Sequence, residues 1–235
     1  MAYQLLGGTR NADSSAVTLP SATDPYNRAI VSPITGKECF LAEEGTYYMG
    51  LTPTPGTGVI GTVSIAAITD VSPTMVIYNG HATAHLLPQF INLHETVVST
   101  SGSRVQFTFY TDTINRWTSS GTALTISNTN SAITGTSGIA IHVGAVVSPA
   151  ANAKVLIDHV VFRGTIDVVE DQYEFVFGSN GGGMVAGPQA ATVQHFSATM
   201  PPVSLAPGHS LIMHQWAASQ ANAPTYEYRV GMVLR

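Results

Sequence analysis

Apolar and polar residues alternate along one segment after another of this chain. In residues 172–178 (QYEFVFG) Tyr173, Phe175 and Phe177 share one side, with Gln172 and Glu174 on the other. In residues 225–234 (TYEYRVGMVL) Tyr226, Tyr228, Val230, Met232 and Leu234 oppose Thr225, Glu227 and Arg229. Side chains on a strand point to opposite faces in turn, so each segment is suited to bury one face of a sheet and wet the other. The same rhythm sets Val105, Phe107 and Phe109 inward in residues 104–111. It groups Leu124 with Ile126, and Ile139 with Ile141, Val143, Ala145 and Val147. Residues 154–163 are apolar on both sides, the pattern of a central strand covered twice. Residues 86–98 carry Pro88, which has no amide hydrogen and so belongs at an edge or a bulge.

Gly, Ser, Thr and Asn fill the intervals, as in residues 128–138 and 179–183. Many strands joined by polar turns predict an all-β chain, a two-sheet β-sandwich of the jelly-roll kind, over residues 61–235. Residues 1–60 read differently. Pro20, Pro25, Pro33, Pro53 and Pro55 break them into short β-like pieces, at 29–34 and 46–49, with no core of their own. An extended Pro/Gly-rich N-terminal arm is the expectation, ordered by docking on the main domain or a neighbour.

Charge changes the picture most. Only 10% of residues are charged, against roughly 25% in an ordinary globular chain. Burial of the exterior against other subunits accounts for this better than a bare, weakly charged surface. The net charge of −5 and the absence of any Lys/Arg run argue against a nucleic-acid partner. No apolar run is long enough to span a bilayer, and the start, MAYQLLGGTR, has no signal-peptide pattern. Cys39 stands alone, which excludes an intrachain disulfide and fits a reducing compartment.

Candidate chemistry is sparse. Gly56, Gly58 and Gly61 spell G-x-G-x-x-G, but a β-rich segment follows where dinucleotide binding needs a helix N-terminus. His81 and His85 are four apart, a separation of about 13 Å on a strand and too far to share an ion. His94-Glu95, His195, His209 and His214 read as loop and edge residues, or as a cluster formed at a subunit interface. No G-x-S-x-G nucleophile motif is present, and adjacency rules out Glu43-Glu44 and Glu170-Asp171 as carboxyls facing across a cleft. Asp158, set among apolar neighbours, is expected to pair with Arg163, His159 or a backbone donor. Surface recognition falls to Trp117, beside Asn115, Arg116 and Ser119, and to Asn180 in the GSNGGG loop. No enzyme activity, cofactor or metal is expected, a cupin-like metalloenzyme being the least favoured alternative.

Residues 201–216 (PPVSLAPGHSLIMHQW) followed by 224–231 (PTYEYRVG) resemble the ending of a group of tailed-bacteriophage virion structural proteins. Residues 42–48 (AEEGTYY), 53–58 (PTPGTG) and 171–178 (DQYEFVFG) match the same group in style. The resemblance covers the arm and the final third. Many members of that group end in a Trp-Trp pair where this chain has Met232-Val233, so a different packing of the last strand is expected here. The resemblance implies a virion structural protein, assembled in the host cytoplasm. Few charges, many strands and the Pro-rich arm point further, to a capsid decoration or cement subunit, expected as a homotrimer on the major capsid protein. The alternative is a tail or head-fibre component that attaches to a host glycan or receptor.

Overall fold

The computed structural model describes residues 8–10, 16–18, 37–61, 67–98, 105–135, 138–149, 154–163, 169–178, 195–216 and 223–235. The chain divides into two units, Met1–Phe40 and Leu41–Arg235. In the first, β1 (Gly8–Arg10) pairs antiparallel with β2 (Ala16–Thr18).

The second unit is a two-sheet β-sandwich. Its strands are β3 (Tyr47–Leu51), β4 (Val59–Ile60), β5 (Met75–Asn79), β6 (Leu86–Val97), β7 (Val105–Asp112), β8 (Ser119–Ala123) and β9 (Thr125–Asn128). They continue with β10 (Ile139–Val147), β11 (Val155–Arg163), β12 (Gln172–Phe177), β13 (His195–Met200), β14 (Ser210–Trp216) and β15 (Thr225–Leu234). One sheet has the order β11-β7-β14-β5-β10-β8, and the other β13-β12-β6-β15-β3-β9 with β4 beside β15.

Eight of these strands pair as nested partners. β3 pairs with β15, β5 with β14, β6 with β12, and β7 with β11, all antiparallel. The chain is thus one long hairpin, first strand on last and second on penultimate, rolled so that the partners fall alternately in the two sheets. That wrapping is the jelly roll. Residues between β7 and β11 form an insertion whose strands β8, β9 and β10 extend both sheets on the side away from β11.

The alternating residues meet between the sheets. Phe107 and Phe109 of one sheet lie edge-on to Phe175 of the other at 5.0 and 4.8 Å between ring centroids. Tyr173, Tyr226, Tyr228 and Val230 are fully buried beside them. Their burial, with that of the aliphatic residues around them, stabilises the sandwich.

Three expectations meet a different geometry, and the placing of Pro88 at a bulge holds. The sequence ends the arm at residue 60, yet Tyr47–Leu51 is an internal strand, paired with both β15 and β9. Ahead of it lies a helix the sequence did not suggest, α1 (Lys37–Glu43), closed by Gly45 at φ +72° with its amide on the Ala42 carbonyl. The segment 154–163, read as central, is the edge strand β11, and Val155 and Leu156 remain 60% and 57% exposed. In β10 the inward phase runs Ile139, Ile141, Val143 and then slips to Val146, leaving Val147 exposed. The register with β8 shifts between Val143 and Val146, and Gly144 at φ +87° takes up the extra residue. Pro88 lies beyond the β6–β12 pairing, where β6 bulges against β15 between Gly231 and Met232.

Candidate functional site

The outer face of the seven-stranded sheet carries the polar half of each alternating strand. Register places Leu51 opposite Arg229, Arg229 opposite Asn92 and Asn92 opposite Glu174. A second row runs from Glu227 to His94 to Gln172 to His195. Neighbouring strands lie about 4.8 Å apart, so the first row is about 14 Å long from β3 to β12.

The chain leaving β3 turns these rows into a groove. The Thr52 amide and hydroxyl hydrogen bond the Tyr228 carbonyl, at 3.1 and 3.4 Å, and the Tyr228 amide donates to Thr52 Oγ1 at 2.7 Å. Thr52 is thereby held against β15, and residues 53–58 rise beside the sheet. The Gly56 amide donates to Glu227 Oε1 at 2.5 Å, which pins the loop tip. Between this loop and the sheet lies a groove of about 420 Å³. Leu51, Pro53 and Pro55 give it an apolar wall; Asn92, Gln172 and Arg229 line its polar side.

His94 sits at the end of the polar side between two carboxylates. Its Nε2 lies 2.5 Å from Glu170 Oε2, and its Nδ1 lies 3.3 Å from Glu227 Oε2. A neutral imidazole donates from one nitrogen only, so both contacts are hydrogen bonds when the ring is protonated. Glu170 reaches this position from a backbone at φ +75°, a region that costs a non-glycine residue about 1 kcal/mol or more. The Asn92 and Gln172 amides and the Arg229 guanidinium make no hydrogen bond or ion pair with other described residues.

The residues singled out from the sequence fall elsewhere. Trp117 is half-buried at the start of the β8–β10 insertion, its indole stacked on His142 at 4.0 Å and 10°. Trp117 Nε1 donates to the Ser120 carbonyl at 2.9 Å, so one face and the polar edge are already engaged. Burial lowers the His142 pKa. Asn180 lies outside the described residues. Asp158 accepts from the His159 amide at 2.7 Å, one of the three expected partners.

His81 accepts from the amides of Thr83 and Ala84 and so closes a local turn, while His85 meets Ser204 Oγ, distant in sequence, at 3.1 Å. Among the described residues no group of three or more His, Cys, Asp or Glu is arranged to hold a metal ion. Gly56 has φ +79°, and a side chain on Gly58 would strike Thr96 and Thr225. Turn geometry and close packing therefore explain the glycine motif, and strand β4 lies within it, between Gly58 and Gly61. Cys39 is exposed with a free thiol.

A second polar group lies on the outer face of the six-stranded sheet, buried at Arg116, Asp112 and His214 and partly exposed at Asp70 and Lys154. Arg116 is fully buried, with Nε 3.8 Å from Asp112 Oδ2 and Nη2 donating to the Asp70 carbonyl at 3.2 Å. Desolvation lowers its pKa, opposed by the Asp112 charge. His214, 2% exposed, is pushed down to about 4, chiefly by burial and then by the Lys154 and Arg116 charges. Lys154 pairs with Asp70 and lies 4.3 Å from the centre of the Tyr110 ring.

The fold is a jelly-roll β-sandwich with a solvent-facing polar groove on one sheet. Comparison with family models, with curated proteins and with solved structures finds no match for the chain. No helix among the described residues is long and apolar enough to cross a membrane.

The sequence missed the groove because its residues are scattered over β3, β6, β12 and β15. Each is an ordinary polar residue of an alternating strand until the register sets them side by side.

Proposed function

We propose that this chain is a non-enzymatic structural protein of a tailed-bacteriophage virion, a capsid decoration or cement subunit that works through contacts with its own copies and with the major capsid protein. The observation that carries the reading is the surface. With charge on only 10% of its residues, the sandwich leaves Val155, Leu156, Ile60, Val97 and Val147 exposed by 43–60%. Apolar area of this kind is stabilised by covering it, at roughly 25 cal/mol per Å² before the cost of ordering the partners.

The resemblance of residues 201–216 and 224–231 to virion proteins supports the same reading, and homotrimeric association is part of it. A jelly roll suits this role, since its stability comes from a core between two sheets and leaves the outer faces and edges for neighbours.

Cryo-EM of intact virions carrying the chain tests the proposal. The expected result is density for the sandwich at symmetry-related sites on the head, with β11 and its exposed Val155 and Leu156 covered. Particles that lack the chain, or carry it only on tail fibres, overturn it.

A further inference from the structure

We infer that the groove between residues 53–58 and the outer face of the seven-stranded sheet is a binding site for a neutral carbohydrate. A sugar ring is amphipathic, with hydroxyls at its rim and C–H groups on its faces, and the groove is amphipathic in the same sense. Leu51, Pro53 and Pro55 form a wall without hydrogen-bonding side chains, and Leu51 is 42% exposed. Opposite stand Asn92, Gln172 and Arg229, whose amide and guanidinium groups are unengaged among the described residues. An amide both donates and accepts, and a hydroxyl does too, so Asn92 and Gln172 match vicinal hydroxyls with paired bonds.

The volume of about 420 Å³ falls within the range of small-ligand sites, and the row that lines it, from Thr125 through Leu51 and Arg229 to Asn92, crosses three strand spacings, about 14 Å, room for more than one ring. The groove is held in shape before any ligand arrives. Thr52 is bonded to the Tyr228 backbone, Gly56 to Glu227, and Glu227 and Glu170 to His94. Preorganisation of this kind lowers the ordering cost of binding.

The charges give acidic sugars no advantage, because Glu227 and Arg229, which both line the groove, offset one another. Glu227, Glu170 and Glu174 stand on this face against the one guanidinium of Arg229 and the imidazoles of His94 and His195. A carboxylated or sulfated ligand would meet like charge at Glu227, whereas hydroxyls find an acceptor there. The inference does not depend on where in a virion the chain resides, because binding is read on the purified protein.

The test is NMR titration of the full chain with neutral saccharides covering glucose, galactose, mannose, rhamnose and N-acetylglucosamine, with 3′-sialyllactose as the anionic probe. At least one neutral saccharide is expected to shift the side-chain signals of Asn92, Gln172 and Arg229 at millimolar concentration. Asn92→Ala and Gln172→Ala, both surface changes, each weaken it at least about tenfold, ~1.4 kcal/mol, while Trp117→Ala does not. Three results overturn the inference: no neutral saccharide binds, the shifts map elsewhere, or sialyllactose binds more tightly than the best neutral sugar.

Discussion

The indole of Trp117 lies flat on the imidazole of His142, 4.0 Å between centroids and 10° between planes. The pair joins the insertion's first turn to strand β10, and burial lowers the His142 pKa. Trp117→Ala removes the stacking and the bond to the Ser120 carbonyl. The expected cost is about 1–2 kcal/mol, read by urea unfolding. The His142 pKa should rise toward its ordinary value, read by NMR titration. An unmoved His142 would show that the indole does not shield it.

His214 gives the fold a defined acid sensitivity. Its folded pKa, about 4, lies below the ordinary 6.5, so below pH 6.5 the unfolded chain binds a proton that the folded chain refuses. Stability from this residue is complete above pH 6.5 and is lost as pH falls from 6.5 to about 4, on the order of 3 kcal/mol in total. His214→Phe should flatten the fall between pH 6.5 and 4.5. Equal slopes for variant and parent would remove His214 from the account.

Arg116 and Asp112 should behave as a coupled pair. Arg116→Met leaves the Asp112 carboxylate buried without its counter-charge and is expected to cost about 3–5 kcal/mol. Asp112→Leu added to Arg116→Met should recover most of that loss, because an apolar pair of similar volume needs no ion pairing. Chemical denaturation of the two singles and the double measures the coupling. Additive losses would mean the two charges act separately across their 3.8 Å.

Gly144 holds the slip in β10. A side chain there is strained at φ +87° and meets the Ile60 carbonyl and Val59, both at 2.8 Å. Gly144→Ala should destabilise by about 1–3 kcal/mol, seen as a lower Tm. An unchanged Tm would show that the bulge relaxes freely.

The all-β class and the core were readable in the sequence because Tyr173, Phe175, Tyr226 and Tyr228 announce their face locally, every second residue. Partnership between strands was not readable, since no local signal tells β3 that it will meet β15. Residues 154–163 misled for a physical reason. Apolar residues on both faces also describe an edge strand that leaves Val155 and Leu156 exposed. In β10 one positive-φ glycine shifts the phase, which strict alternation carried to Ala145 and Val147. The groove was hidden for the same reason as the pairing. Trp117 drew attention as an aromatic beside Asn115, Arg116 and Ser119, and only the fold shows that one face and its N–H are taken.

Sedimentation velocity of the purified chain across micromolar concentrations tests the central claim, that this sparsely charged exterior is covered by companions. An oligomer, expected to be a trimer, should form, and the double change Val155→Asp with Leu156→Asp should convert it to monomer without unfolding it. A parent chain that stays a soluble monomer throughout that range would contradict the account.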